Sequence, residues 1–453
     1  MTGLAARPGL VAPTVPLEAD RSDDWPRTGR LLPWLLAAFV AMLWLIPFDA
    51  IDLPFQLPAD AKPDRILLGG IFLIWLASLA AGGTSSPTLR SAPVVLGVML
   101  FFAVAALSLF VNLQQLVNLD ETAAAVKKVA LLGSYVLFFL VVATSVRPTE
   151  ARRFVYLVCG LAAITALGTI YEYRSDSNPF YSISADLAPP GVDVEAAPSG
   201  QDTSDRERVR GPTGHGLAVS TMFALVVPFA LLAFTGTRDV RAKVMWLALT
   251  GLLLAGSLAT TRKSSVVVPL ASLAILLFYA PARFVRLLPV LAVLVALVPL
   301  ISPGALDRVT SQFNDNIGES SSVRARTEDY DALQTDLVTN PVLGRGFGTY
   351  DPIRFRILDN QYLGLAVETG FVGVTAYLIM IGLLLATTHP VIRRGPPDAA
   401  WVSLGIAAGA VGFAIATVLF DVLGFPHAPY LFLFLAGLAV AVRAQPLSGP
   451  RPA

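Results

Sequence analysis

The sequence predicts an all-α integral membrane protein of about twelve transmembrane helices, with a large external loop between the ninth and the tenth. Two observations carry that expectation. Hydrophobic residues make up 55% of the chain and charged residues only 14%, with a mean hydropathy of +0.66, and such values belong to polytopic membrane proteins. Apolar runs of the length that crosses a bilayer, about 17–25 residues, recur along nearly the whole chain. The totals also exclude function classes. A net charge of +1 offers no global field to recruit nucleic acid. The single cysteine, Cys159, sits in an apolar run, so no intramolecular disulfide can form. His215, His389 and His427 are widely separated and lack ligand spacing, which argues against a zinc site.

Taken in order, residues 1–30 bear Pro, Arg and Asp without apolar periodicity and read as a disordered cytoplasmic tail. The run after Arg30 lies too late for a cleaved signal peptide and lacks a small-residue cleavage site, so it reads as a first span. Spans are expected near 31–48, 66–81, 92–111, 126–146, 153–171, 216–235, 244–261, 264–280, 284–302, 361–387, 399–420 and 427–442. Short connections bearing Arg147, Arg152, Arg153, Arg238, Arg241, Lys243, Arg283, Arg286, Arg393 and Arg394 fall on one side, which the positive-inside rule makes cytoplasmic. Lys127 and Lys128 dissent from that assignment. The chain then divides into helices 1–9 over 31–302, interrupted by an external loop at 172–215; a large external loop over 303–360; helices 10–12 over 361–442; and a cytoplasmic tail, 443–453. Within the larger loop, Tyr330, Leu333 and Leu337 recur at helical spacing, so 324–338 reads as an amphipathic helix at the membrane surface, stopped by Asn340-Pro341.

The stretch 340–377 organises the rest. It brings a Gly-punctuated run of cations up against an apolar helix that carries Glu368. An ionised group in hydrocarbon costs at least about 2.5–3.5 kcal/mol, so such a carboxylate faces a cavity or a partner. Arg206, Arg208, Arg210, Arg262, Arg324, Arg326, Arg345, Arg354 and Arg356 all fall on the external face. Arginine suits bidentate recognition of phosphate and does not deprotonate. Arg210 and Arg262 stand beside helix ends, next to Gly211-Pro212 and Ser264-Ser265, and are read as phosphate ligands. The other loop arginines are equally read as partners of carboxylates or headgroups.

Gly344, Gly346 and Gly348 form a G-x-G-x-G loop around Arg345, readable as a backbone cradle for a diphosphate or as a turn after Pro341. Of Asp359 and Asn360, one is expected to cap the following helix. Gln361 and Glu368, seven residues apart, share its face. His215 could bind or deprotonate a hydroxyl, or be structural. Asp329-Tyr330-Asp331 has the form of a metal-binding D-x-D but falls on a solvated helix face.

Four pieces, in order, make the C-terminal half resemble the superfamily of O-antigen ligases and polymerases, which are bacterial polytopic membrane glycosyltransferases. They are RVRGPTGHGLAVSTMFALVVP (208–228), SLATTRKSSVVVPLASL (257–273), RARTEDYDALQTDLVTNPVLGRGFGTY (324–350) and DNQYLGLAVETGFVGVTAYL (359–378). The resemblance implies a GT-C-like helical fold with its active site outside the cytoplasmic membrane. It also implies an undecaprenyl-diphosphate-linked glycan donor, a glycan or lipid-glycan acceptor, and no metal or other cofactor. It places the family's two essential arginines on Arg210 and Arg262. Ligases carry His where this chain has Asp359, a departure that leans the expectation toward polymerisation. Asp359 or His215 is then the candidate base; Arg345 joins the diphosphate ligands, and Asn360, Gln361, Glu368, Gly344 and Gly346 support them. The alternative reading is a transporter or flippase of about twelve spans, against which stands the lack of two matching halves.

Overall fold

The computed structural model describes residues 31–48, 50–52, 62–80, 91–119, 121–187, 193–194, 209–314, 333–350, 355 and 358–447. In hydrocarbon every backbone N–H and C=O must be satisfied within its own segment, so each apolar run closes into a helix. The helices are α1 (Leu31–Leu45), α2 (Pro63–Ala80), α3 (Pro93–Val111), α4 (Leu113–Asn118), α5 (Thr122–Ser145), α6 (Pro148–Ser175), α7 (Pro179–Leu187), α8 (Gly216–Gly236), α9 (Val240–Ala259), α10 (Ser264–Tyr279), α11 (Pro281–Val285), α12 (Leu288–Ile301), α13 (Ala305–Asn314), α14 (333–339), α15 (Gln361–Arg394), α16 (Pro397–Leu419) and α17 (His427–Arg443). Proline opens α3, α6 and α16, where its missing N–H has no intrahelical partner to lose.

Among the described residues, eight helices are long and apolar enough to cross a membrane: α2, α3, α5, α6, α8, α9, α15 and α16. A ninth is reached only if α12 and the start of α13, bent by 113°, count as one. The runs expected near 31–48, 264–280 and 427–442 are helical but shorter, at 15, 16 and 17 residues.

The core lies around α17, whose residues 427–442 are all buried, as befits a helix that is apolar on every side. It packs against α5, α16, α15, α8 and α6. Two crossings depend on glycine. A Cβ at Gly97 of α3 would stand 2.8 Å from the Met380 Cα of α15, and one at Gly256 of α9 would stand 2.9 Å from the Ala166 Cβ of α6. Small residues of this kind let intramembrane helices approach closely.

Contacts at the helix ends define two ends of the bundle. At one, Arg152 pairs with Asp398 at 2.9 Å, Arg443 donates to the Thr387 carbonyl at 3.2 Å, and Tyr279 meets His389 at 2.6 Å; this is the basic end. At the other, the His427 ring stacks on Phe48 at 3.9 Å, and Arg174 Nε donates to the Ile301 carbonyl at 2.7 Å.

The expected loop at 172–215 is partly ordered. Helix α6 runs on to Ser175, α7 follows, and the two-residue strand β2 (Asp193–Val194) pairs antiparallel with β1 (Ile51–Asp52). Of the expected amphipathic helix 324–338, the part from 333 is helical. There Leu333 is buried against Tyr350, Leu358, Leu363 and Val367. Tyr330, the D-x-D pair Asp329 and Asp331, Arg206, Arg208, Arg324, Arg326, Arg354, Arg356 and both tail segments before 31 and after 447 lie outside the described residues.

Candidate active site

A buried carboxylate shapes the first turn. Glu172, in the last turn of α6, accepts from the backbone N–H of Arg210 at 3.1 Å and of Gly211 at 2.9 Å, and from the Asn178 amide at 2.9 Å. Gly211 and Gly214 take positive φ, of 59° and 69°, and between them the chain makes a single 3-10 turn. Glu172 thus holds the Arg210 backbone and leaves its side chain half-buried at the surface of the turn. Among the described residues the Arg210 guanidinium makes no hydrogen bond or ion pair. His215 then caps α8, its Nδ1 accepting from the Leu217 N–H at 3.3 Å. With Nδ1 accepting, the neutral ring carries its proton on Nε2.

Arg262 stands in the turn between α9 and α10, where Thr261 takes a φ of 52°. This turn packs on the first. A Cβ at Gly216 would lie 2.6 Å from the Val209 carbonyl oxygen and 3.4 Å from the Thr260 Cβ, and Ser220 Oγ lies 3.0 Å from Ser264 Oγ. Segments about fifty residues apart in sequence therefore bring Arg210 and Arg262 to one end of the bundle.

The start of α15 joins them through the turn between α16 and α17. The His215 ring lies 4.7 Å from Phe425, and the Leu423 N–H donates to Gln361 Oε1 at 2.9 Å. Asn360 is the helix cap, its Oδ1 accepting from Tyr362 at 2.9 Å and Leu363 at 3.3 Å. Asp359 is relieved of that role. It is exposed, and among the described residues its carboxylate makes no hydrogen bond or ion pair.

The glycine loop has a different occupant from the diphosphate considered above. Helix α15 is broken at Gly370, with φ 64° and ψ −170°, a conformation essentially confined to glycine. The break frees backbone groups that loop 341–346 takes up. Arg345 N–H donates to the Val367 carbonyl at 3.0 Å and Gly346 N–H to the Glu368 carbonyl at 2.9 Å. In the other direction, Phe371 donates to Pro341 at 2.9 Å and Val372 to Val342 at 3.3 Å. A Cβ at Gly344, whose φ is 66°, would overlap the Glu368 carbonyl carbon. Gly344 and Gly346 therefore cradle a helix backbone.

Arg345 and Glu368 are likewise engaged. Arg345 Nη2 bonds both carboxylate oxygens of Glu121, at 3.2 and 3.1 Å, and its guanidinium lies 4.4 Å from the Phe355 ring centre. The pair is nearly enclosed, with the side chains 11% and 7% exposed. The Glu121 carboxylate, not an approaching anion, is the arginine's partner here. Glu368 accepts from the Tyr350 N–H at 3.0 Å and lies 3.6 Å from Lys128 Nζ, which also donates to the Tyr350 carbonyl at 3.0 Å. The lysine that dissented from the positive-inside pattern is thus offset by a buried carboxylate.

The sequence reasoning passed over Glu172, Glu121 and Asp421 as site residues, and met Lys128 only as an exception to the charge pattern. Asp421, in the turn that bridges His215 and Gln361, lies within Coulombic reach of Lys128. Burial pushes its carboxyl above the ordinary range while Lys128 pulls it back. A signal for Glu172 was present in its placement as a carboxylate in the last turn of an apolar helix. Of the acidic residues between α1 and α2, Asp49 and Asp60 lie outside the described residues, whereas Asp52 is held in β1. Among the described residues no three His, Cys, Asp or Glu side chains gather as a metal site.

No curated protein matches the chain. The segment from α9 to the middle of α15 contains Arg262, the glycine loop, Arg345, Asp359 and the helix break, while Arg210 and His215 precede it. That segment, residues 244–378 of a chain with several helices long and apolar enough to cross a membrane, matches the family model described as O-antigen ligase.

Proposed function

We propose that the protein is a metal-independent, inverting glycosyltransferase acting on a polyprenyl-diphosphate-linked glycan at the outer face of the cytoplasmic membrane. The observation that carries this reading is the Arg210 guanidinium, held by its backbone on Glu172 and left without a partner among the described residues, on a turn packed against that of Arg262. An acceptor hydroxyl attacks the anomeric carbon as the bond from that carbon to the diphosphate oxygen breaks. The pair of electrons leaves with the diphosphate, whose growing charge Arg210 and Arg262 stabilise from fixed positions. The proton of the hydroxyl passes to Asp359, the exposed carboxylate that Asn360 spares from capping. His215, engaged through Nδ1, orients the turn and donates from Nε2. Arg345 acts at one remove, fixing the loop under the start of α15 through Glu121.

Topology supports the sidedness. The cations of the basic end, among them Arg147, Arg152, Arg153, Arg393 and Arg394, belong to the cytoplasm by the positive-inside rule, which puts Arg210 and Asp359 outside. The spans and the loops 172–215 and 303–360 then keep the order given above, with both termini inside.

The test is transfer by the purified protein from a lipid-diphosphate-linked oligosaccharide. Arg210→Gln should lower turnover by roughly 10²–10³, the scale for removing one preorganised donor from a developing anion, without lowering thermal stability. Parental turnover in Arg210→Gln, or equal use of a monophosphate-linked donor, refutes the assignment.

A further inference from the structure

A cavity of about 1100 Å³ opens at the basic end of the bundle between α6, α8, α9 and α16, away from the turns of Arg210 and Arg262. Its composition changes along its length. Arg152, Arg238 and Asp398 stand at its mouth, whereas Cys159, Gly160, Leu249 and Leu252 line its wall. Between these regions Tyr156 lies 5.8 Å from Trp246 and 5.7 Å from Trp401, ring centre to ring centre. A cationic mouth, an aromatic collar and an apolar wall repeat the profile of one bilayer leaflet from headgroup to acyl chain.

Two details point to an occupant. First, a Cβ built at Gly160 or Gly236, both lining this space, meets nothing within 4 Å. Glycine inside a helix costs up to about 1 kcal/mol relative to alanine, and no neighbouring protein atom accounts for Gly160. Second, the charge at the mouth is unbalanced. Arg152 and Arg238, with Arg153 in an adjoining space of about 450 Å³, face the single carboxylate Asp398. Arg152 spends two N–H groups, one on the Tyr156 hydroxyl at 2.7 Å and one on Asp398 at 2.9 Å. The guanidinium has five, so three remain for an anion.

We infer that this cavity binds one anionic phospholipid of the leaflet at the basic end, its phosphate held by Arg152 and Arg238 and one acyl chain lying along α6 over Gly160. The site is separate from the transfer reaction and does not depend on the function proposed for it.

The experiment uses the full chain purified in detergent and incubated with phosphatidylglycerol, with retained lipid counted by native mass spectrometry. The parent should keep one phosphatidylglycerol at least fivefold more than phosphatidylcholine at equal concentration. Arg152→Gln combined with Arg238→Gln removes the mouth cations, and Gly160→Trp fills the wall. Each should reduce retention at least fivefold, with the thermal midpoint in lipid-free detergent unchanged. Arg286→Gln, an exposed cation outside the cavity, should retain lipid like the parent. Equal retention in all variants overturns the site, and equal retention of phosphatidylcholine overturns its selectivity for anionic headgroups. Displacement of phosphatidylglycerol by equimolar polyprenyl phosphate overturns the assignment to a phospholipid.

Discussion

Replacing Gly370 by alanine tests whether the broken helix and the glycine loop form one unit. Two responses are open to the variant. If the loop stays, alanine must hold φ 64° and ψ −170°, at about 1–3 kcal/mol, with its Cβ overlapping the Val342 carbonyl. That overlap favours the second response, in which α15 closes through position 370 and the loop withdraws. Four backbone hydrogen bonds are then lost: Arg345 to Val367, Gly346 to Glu368, Phe371 to Pro341 and Val372 to Val342. At about 0.6 kcal/mol each, typical within membranes, to about 1.5, the upper end of the usual range, their loss amounts to about 2–6 kcal/mol. Since 1.4 kcal/mol is a factor of ten, hydrogen exchange at the amides of Arg345 and Gly346 should accelerate at least roughly 30-fold. Gly382→Ala is the control, because that position in the same helix has open space for a Cβ. If the Gly370→Ala amides exchange within threefold of the parent, the loop is not held by the break and the reasoning fails.

The remaining predictions concern single groups. Asp359→Asn should lower transfer by roughly 10² or more, the scale of general-base help, at unchanged thermal stability; a parental rate would remove Asp359 from the reaction. Asn360→Ala should instead cost about 0.5–2 kcal/mol of stability as a lost cap, measured by thermal melting. Glu121→Gln should destabilise by about 3–5 kcal/mol, because it leaves the Arg345 charge buried and uncompensated. Adding Arg345→Gln should recover much of that loss, and a double variant no better than the single one would dissolve the pair. Transfer should survive EDTA, whereas loss restored by magnesium or manganese would return a metal to the reaction.

The helices were legible because apolar runs in a bilayer have one economical conformation, and the structure opens α8 at Gly216 and α10 at Ser264, as expected from the sequence. The neighbourhood of Arg210 and Arg262 was legible for a related reason: each stands at a helix end marked by small residues. The glycine loop was not. A G-x-G-x-G segment offers the same bare backbone to a phosphate or to a helix, and its partner here is a break some 25 residues further on. The role of Arg345 was hidden by distance, since Glu121 lies 224 residues away in sequence. For Asp359 and Asn360 the sequence left the cap open between two residues, and only backbone direction assigns it to Asn360.

Two of the shorter apolar helices have a consequence for the membrane itself. Helices α10 and α17 hold 16 and 17 residues, or about 24–26 Å at about 1.5 Å per residue, against a hydrocarbon core of about 30 Å. Both reach the same turns: α17 through His427, whose ring lies 3.2 Å from the Ile46 carbonyl oxygen, and α10 through the turn of Arg262. Helix α10 also exposes the large apolar side chains Leu270 and Phe278. Hydrophobic mismatch of this sign is relieved by thinning the surrounding bilayer. On the function proposed above, thinning of this kind would let the diphosphate of a lipid-linked donor meet Arg262 without leaving the plane of its leaflet.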